Sequence, residues 1–373
     1  MRNVFILALA LASAAPAIDH PGATKDYLAP SRFSLVRGGK PRNLILVDAE
    51  ENSAVRIASK TLEKDFKRVT GEYLPRDSDQ AIIAGTVDGP TLRPLVEAGL
   101  LNVDALKGRR EQYLVTFVKN PRAGLKEALV VAGSDRRGAV YGLYEISEQI
   151  GVSPWYDWAD APVGWKAAEG KKLDLSIARK DLTNGEPAVR WRGIFLNDEA
   201  PCLTGWVKNT YKTGFGDHRF YARVGELILR LRGNFLWPAM WSWAFYADDP
   251  LNSKTLDEMG VIVGTSHHEP MGRNHQEYAR KRKEYGAWNY QTNKEPLDGF
   301  FAEGVRRLKD TEDVVTIGMR GDGDAAMDGA GNLELMQDII ANQRRIIAEE
   351  TGRDASEVPQ VWALYKEVQE DYD

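Results

Sequence analysis

Cysteine is nearly absent: Cys202 is the only one in 373 residues. No intrachain disulfide can form, so stability has to come from a large packed core. A basic surplus is missing too, since 49 Lys and Arg face 54 Asp and Glu for a net charge of −5. That balance disfavours nucleic acid or an anionic membrane as a partner. Long apolar runs are lacking. The one over residues 4–12 falls far short of the ~20 residues a membrane span needs. No Gly-x-Ser-x-Gly elbow supports a serine hydrolase. Gly133, Gly138 and Gly142 miss the dinucleotide-binding spacing. What is present in quantity is apolar residues, at 43% of the chain, enough for a core and against global disorder.

The N-terminus reads as a secretory signal. Arg2 is the charged region, 4–12 the apolar region, and Ala15-Pro16-Ala17 a small-residue cleavage site. A secreted product is expected, in an oxidising compartment. Residues 1–17 are therefore taken as signal peptide and 18–42 as a polar leader. Residues 43–188 are an N-terminal α/β domain with its linker. Apolar runs at 44–47, 80–84 and 127–132 alternate there with helical patterns at 53–69 and 136–150, the latter stopped by Gly151.

A second alternating series begins at Val189. Strands are predicted at 192–196, 234–237, 261–265, 314–318 and 358–365, with helical patterns between them. One helix is capped by Asp217 and stopped by Gly233. Five strands running one way match the opening of a (β/α)₈ barrel, with an open doubly wound sheet as the alternative. Residues 189–373 are shorter than the about 250 of a whole barrel. The expectation is a TIM-type barrel that is incomplete, in a C-terminally truncated chain.

Barrel enzymes carry chemistry on the loops after the strands. Each predicted strand here ends on polar or aromatic residues: Asn197, Asp198 and Glu199; Trp241 and Trp243; His267, His268 and Glu269; Arg320, Asp322 and Asp324; Lys366 and Glu367. Carboxylates beside aromatics suit glycoside hydrolysis, in which two acids flank the bond and flat rings stack on sugars. Asp322-Gly323-Asp324 with Asp328-Gly329 hints at a calcium loop, but Ala326 stands where a ligand is wanted and no Glu follows at the right distance. His267-His268-Glu269 lacks metal-binding helical spacing, which favours a substrate-binding histidine. No metal and no cofactor is expected.

Several long motifs, taken in order, resemble glycoside hydrolase family 115, the xylan α-1,2-glucuronidases. They are Trp191-Arg192-Gly193-Ile194-Phe195-Leu196-Asn197-Asp198-Glu199, Asn234-Phe235-Leu236-Trp237-Pro238-Ala239-Met240-Trp241, His267-His268-Glu269-Pro270-Met271, Met319-Arg320-Gly321-Asp322-Gly323-Asp324 and Tyr365-Lys366-Glu367-Val368. Gly133-Ser134-Asp135-Arg136-Arg137-Gly138 is similar to the same family's N-terminal domain. The resemblance implies removal of glucuronic acid, or its 4-O-methyl form, from xylan with inversion. It implies that Asp198, Arg320, Asp324 and Glu367 match active-site positions. The expected partner is glucuronoxylan or its oligosaccharides, with a homodimer as the candidate assembly of the full-length form. The alternative is a carbohydrate-binding remnant or a fragment without function.

Inversion calls for an acid and a base about 6.5–9.5 Å apart. Asp324 and Glu367, on adjacent strand ends, are the expected catalytic pair. Glu367 is assigned as acid, in an aromatic-rich setting that would raise its pKa, and Asp324 as base, ionised beside Arg320. Arg320 suits the substrate carboxylate, with Lys366 and His268 as further candidates. Asp198, Glu269 and Trp241 complete the expected substrate contacts.

Overall fold

The computed structural model describes residues 23–24, 32–165, 167, 169–327 and 333–364. The expected signal peptide and the candidates Lys366 and Glu367 lie outside these residues. Among the described residues no helix is long and apolar enough to cross a membrane.

The first half is built on a five-stranded sheet in the order Leu44–Leu46, Gln80–Thr86, Glu127–Gly133, Tyr113–Lys119, Leu182–Thr183. The first three strands are parallel, and Tyr113–Lys119 pairs antiparallel on both sides. The runs 80–86 and 127–133 read as continuously apolar because both sheet faces are covered. Ile82, Leu129 and Val131 join a large core on one face, and Ile83 and Val130 join a smaller core on the other.

Two helices cover the large-core face. Ser53–Thr70 starts on Asn52, whose side chain accepts from the Ala54 N–H, and ends at Gly71 in the left-handed conformation. Arg136–Gln149 starts on Asp135, which accepts from the Gly138 N–H at 2.8 Å. The glycines of this turn serve close packing. A Cβ on Gly133 would lie 2.0 Å from the Ala139 nitrogen, and one on Gly138 would lie 2.3 Å from the Gln112 carbonyl oxygen.

Part of the stretch read as a polar leader is structured. Arg32–Arg37 is a strand with Phe33, Leu35 and Val36 fully buried, paired antiparallel with Leu175–Ala178. Its short apolar alternation sits among charged and glycine residues, which masks it in the sequence.

In the second half, Gly193–Phe195, Phe235–Trp237 and Ile262–Val263 form a parallel sheet in chain order. A parallel bridge from Gly264 to Val314 leads on to Val315–Thr316, which pairs in parallel with Gln360–Val361. The helices His218–Arg230, Leu251–Met259, Lys294–Leu308 and Leu333–Thr351 fall between the strands. Asp217 caps the first of these as the sequence predicts, accepting from the Arg219 and Phe220 N–H groups. The helix Cys202–Tyr211 has no counterpart among the helical patterns predicted from the sequence.

The two halves share one apolar core, from Leu62 and Tyr144 to Ile228 and Val261. Within it lies a buried ion pair. Arg230 donates to Asp65 at 2.7 Å and to the Ser147 hydroxyl at 2.8 Å, and both charged side chains are about 1% exposed or less. Burial pushes the Asp65 carboxyl above the usual carboxylate range, opposed by Arg230. Removing one partner of such a pair strands a charge in the core, which costs about 3–5 kcal/mol. Urea unfolding of Arg230→Ala is expected to show a loss of that size. Asp65→Leu combined with Arg230→Met is expected to recover much of it; a double variant as unstable as Arg230→Ala would show that the pair's charge balance is not what matters.

Candidate active site

The loops that follow the parallel strands converge on one face. Asp198, after Gly193–Phe195, is fully buried. Its two carboxylate oxygens accept from the Trp241 N–H at 2.8 Å and the Ser242 N–H at 2.6 Å. Asp198 thus fixes the loop after Phe235–Trp237 and, through it, the Trp241 ring. That ring is 40% exposed and lies 5.4 Å from the His268 ring, tilted by 36°. Trp243 points the other way, into the core. Trp241 is therefore the aromatic surface that this loop leaves exposed.

The loop after Ile262–Val263 delivers His267, His268 and Glu269. His267 Nε2 lies 3.0 Å from Asp324 Oδ1 and 3.5 Å from His268 Nδ1. His268 is 2% exposed, with its ring also 5.5 Å from that of His275. Glu269 turns inward. It is 1% exposed, and Oε1 accepts from the His275 N–H at 3.0 Å and from Asn274 Nδ2 at 3.2 Å. Its work is to shape the turn carrying His275. Burial pushes its carboxyl up to about 8.

The loop after Val315–Thr316 delivers Arg320, Asp322 and Asp324. Arg320 pairs with Asp324 Oδ1 and also donates to the Asp324 carbonyl at 2.9 Å. Its own carbonyl accepts from Trp288 Nε1 at 2.8 Å. Asp324 has φ 67°, the left-handed region, where a non-glycine residue is strained by about 1–2 kcal/mol. Arg320 and His267 hold it there against that strain. Asp322 faces elsewhere, paired with Arg282 and 3.0 Å from His275 Nε2. Its hydrogen bond with Arg282 holds its carboxyl below the usual range.

The fold therefore brings Asp198, Trp241, His268, Arg320 and Asp324 together, with Glu269 behind them. Sequence pattern alone does not single out His267 as a partner of Asp324, or His275, Arg282 and Trp288 as supports. These residues are far apart in sequence, and only the convergence of strand ends joins them. His267, His268 and Asp324 also present ligand atoms within 4.8 Å of one another, close enough to share a metal ion. Asp324 Oδ1 is already paired with the Arg320 guanidinium, so a metal would have to bind against a fixed positive charge.

Residues 184–373 match the sequence model of glycosyl hydrolase family 115. The chain belongs to glycoside hydrolase family 115. Among solved structures it is similar to BtGH115A, described as a family 115 4-O-methyl-α-glucuronidase with specificity for decorated arabinogalactans. The two share 30% identity with a TM-score of 0.75, over 90% of this chain and 44% of that one. This family 115 chain thus spans under half the length of that relative. CpGH84D aligns at 12% identity over 91% of this chain and 59% of its own, but its TM-score of 0.31 carries no argument. No curated protein sequence matches.

The Glu269 carboxyl gives a pH test. An ordinary Glu titrates near 4.3, so between there and about 8 the unfolded chain has lost a proton that the folded chain keeps. The unfolded state binds fewer protons, and stability falls as pH rises through that window. Denaturant unfolding at pH 5, 6.5 and 8 is expected to show Glu269→Gln gaining on the wild type at each step; parallel profiles would contradict the buried acid.

Proposed function

We propose that this family 115 chain carries the catalytic face of a glycoside hydrolase that removes α-1,2-linked (4-O-methyl)glucuronic acid from xylan, with inversion. The observation that carries the reading is Asp324, held on a strained backbone between Arg320 and His267 beside an exposed Trp241. The Arg320 guanidinium pairs with this carboxylate, and a base that activates water must be ionised. Trp241 offers a face for the sugar ring, and His268, lodged between Trp241 and His275, borders the same space. Arg320, 2% exposed and paired with Asp324, supplies positive charge on that side of the site, where we place the uronate carboxylate.

In this reading Glu367, which follows Gln360–Val361 in the sequence, is the acid that protonates the leaving oxygen, and Lys366 is a further substrate contact. The five strands open a (β/α)₈ barrel. Their strictly sequential parallel order supports a barrel over a doubly wound sheet, whose order would reverse at a switch point. The signal-like N-terminus supports secretion. A second reading concerns the backbone polymer: BtGH115A is described as specific for decorated arabinogalactans, which makes an arabinogalactan carrying the same uronic acid the competing substrate.

Release of uronic acid from 4-O-methylglucuronoxylan and from glucuronidated arabinogalactan, followed side by side, separates the two polymers. Asp324→Asn is expected to lower the rate on the preferred one by about 10²–10⁴-fold, the range for a lost general base. A variant that releases uronic acid as fast as the wild type would remove Asp324 from the mechanism.

A further inference from the structure

A second charged cavity lies at the opposite end of the parallel strands. It has a volume of about 360 Å³, within the range of small-molecule sites. Its walls come from the residues that precede the strands, such as Arg190, Thr311 and Glu312, and from Arg110 and Glu111 of the first half. Four arginines line it: Arg110, Arg137, Arg190 and Arg353.

Their charges are unevenly matched. Arg137 is saturated, bonded to Glu111 at 2.7 Å and to Glu312 at 2.7 Å. Glu111 is also bonded to Arg192, and Glu312 to Arg136. The other three have weaker arrangements. Arg110 donates to the Pro187 carbonyl and reaches Glu186 only at 3.9 Å. Arg353 donates to the Glu357 carbonyl rather than to a carboxylate. Arg190 lies over the Trp191 ring. A guanidinium without a close carboxylate partner offers a planar fork that a ligand carboxylate fits.

We propose that this cavity binds a small hydroxylated carboxylate of monosaccharide size, a uronic acid, away from the active site. Arg110, Arg190 and Arg353 take the carboxylate. Glu312, Glu357 and Thr311 accept from the ring hydroxyls. The same acids disfavour a dianion such as phosphate, which would bring two charges against them. The site rests on its own lining and stands whether or not the hydrolase reading holds.

The test is calorimetric titration with glucuronic acid on Asp324→Asn protein, with and without Arg110→Gln, Arg190→Gln and Arg353→Gln together. Asp324→Asn is common to both samples, so their difference reports only the cavity. The three substitutions are expected to weaken binding at least tenfold, and glucose is expected not to bind there. Because Arg353 is exposed, Arg353→Gln alone keeps the fold intact and is expected to weaken binding about threefold if the triple variant fails to fold. Equal affinity with and without the substitutions, equal binding of glucose, or tighter binding of inorganic phosphate would each overturn the proposal.

Discussion

The Glu111 carboxylate is the fixed point on which the second half is hung. It is fully buried, and its backbone sits at φ 54°, a conformation that costs a non-glycine residue about 1–3 kcal/mol. Donors from three elements compensate: Arg137 at 2.7 Å, Arg192 at 2.6 Å and Asn234 at 2.7 Å. Asp135 takes the Glu111 N–H at 2.8 Å. Arg192 and Asn234 immediately precede the first two parallel strands, and Asn234 also accepts from the Arg192 N–H and donates to the Arg190 carbonyl. One carboxylate from the first half thereby sets where those two strands begin and which residues of them pair.

Fixing the start of a short parallel strand also fixes where it ends, because strands of two or three residues leave no room for slippage. The loops beyond those ends then meet. Asp198 reaches across to the Trp241 loop, the Thr316 hydroxyl donates to the Thr265 carbonyl at 2.5 Å, and His267 meets Asp324. The long helix Leu333–Thr351 adds a further tie: Gln343 both donates to and accepts from the Gly318 backbone. The strained φ of Asp324 is tolerated because its surroundings are held from several directions, the usual condition for strain at a functional site.

Much of this architecture is readable in the sequence because period and punctuation agree. The helices at 53–70, 136–149 and 218–230 carry side-chain caps at Asn52, Asp135 and Asp217, and the parallel strands appear as apolar runs ending on charges. The strand Arg32–Arg37 is hidden because its pairing partner lies some 140 residues away. The composition of the site is legible in its strand-end acids, rings and histidines; its internal assignments are not. Nothing local distinguishes Asp198, whose oxygens are used by backbone N–H groups, from an acid that faces substrate. Nothing local shows that Glu269 turns inward while its neighbour His267 meets Asp324. These outcomes depend on distances between loops, which spacing within one loop does not encode.

The central proposal is that the strand-end constellation around Asp324 receives a uronic acid. A crystal structure of the protein with glucuronic acid bound puts this to the sharpest test. The sugar ring is expected against Trp241, its carboxylate on the Arg320 side, and Asp324 still bonded to His267. No ring against Trp241, or Asp324 turned out of contact with Arg320 and His267, would contradict it.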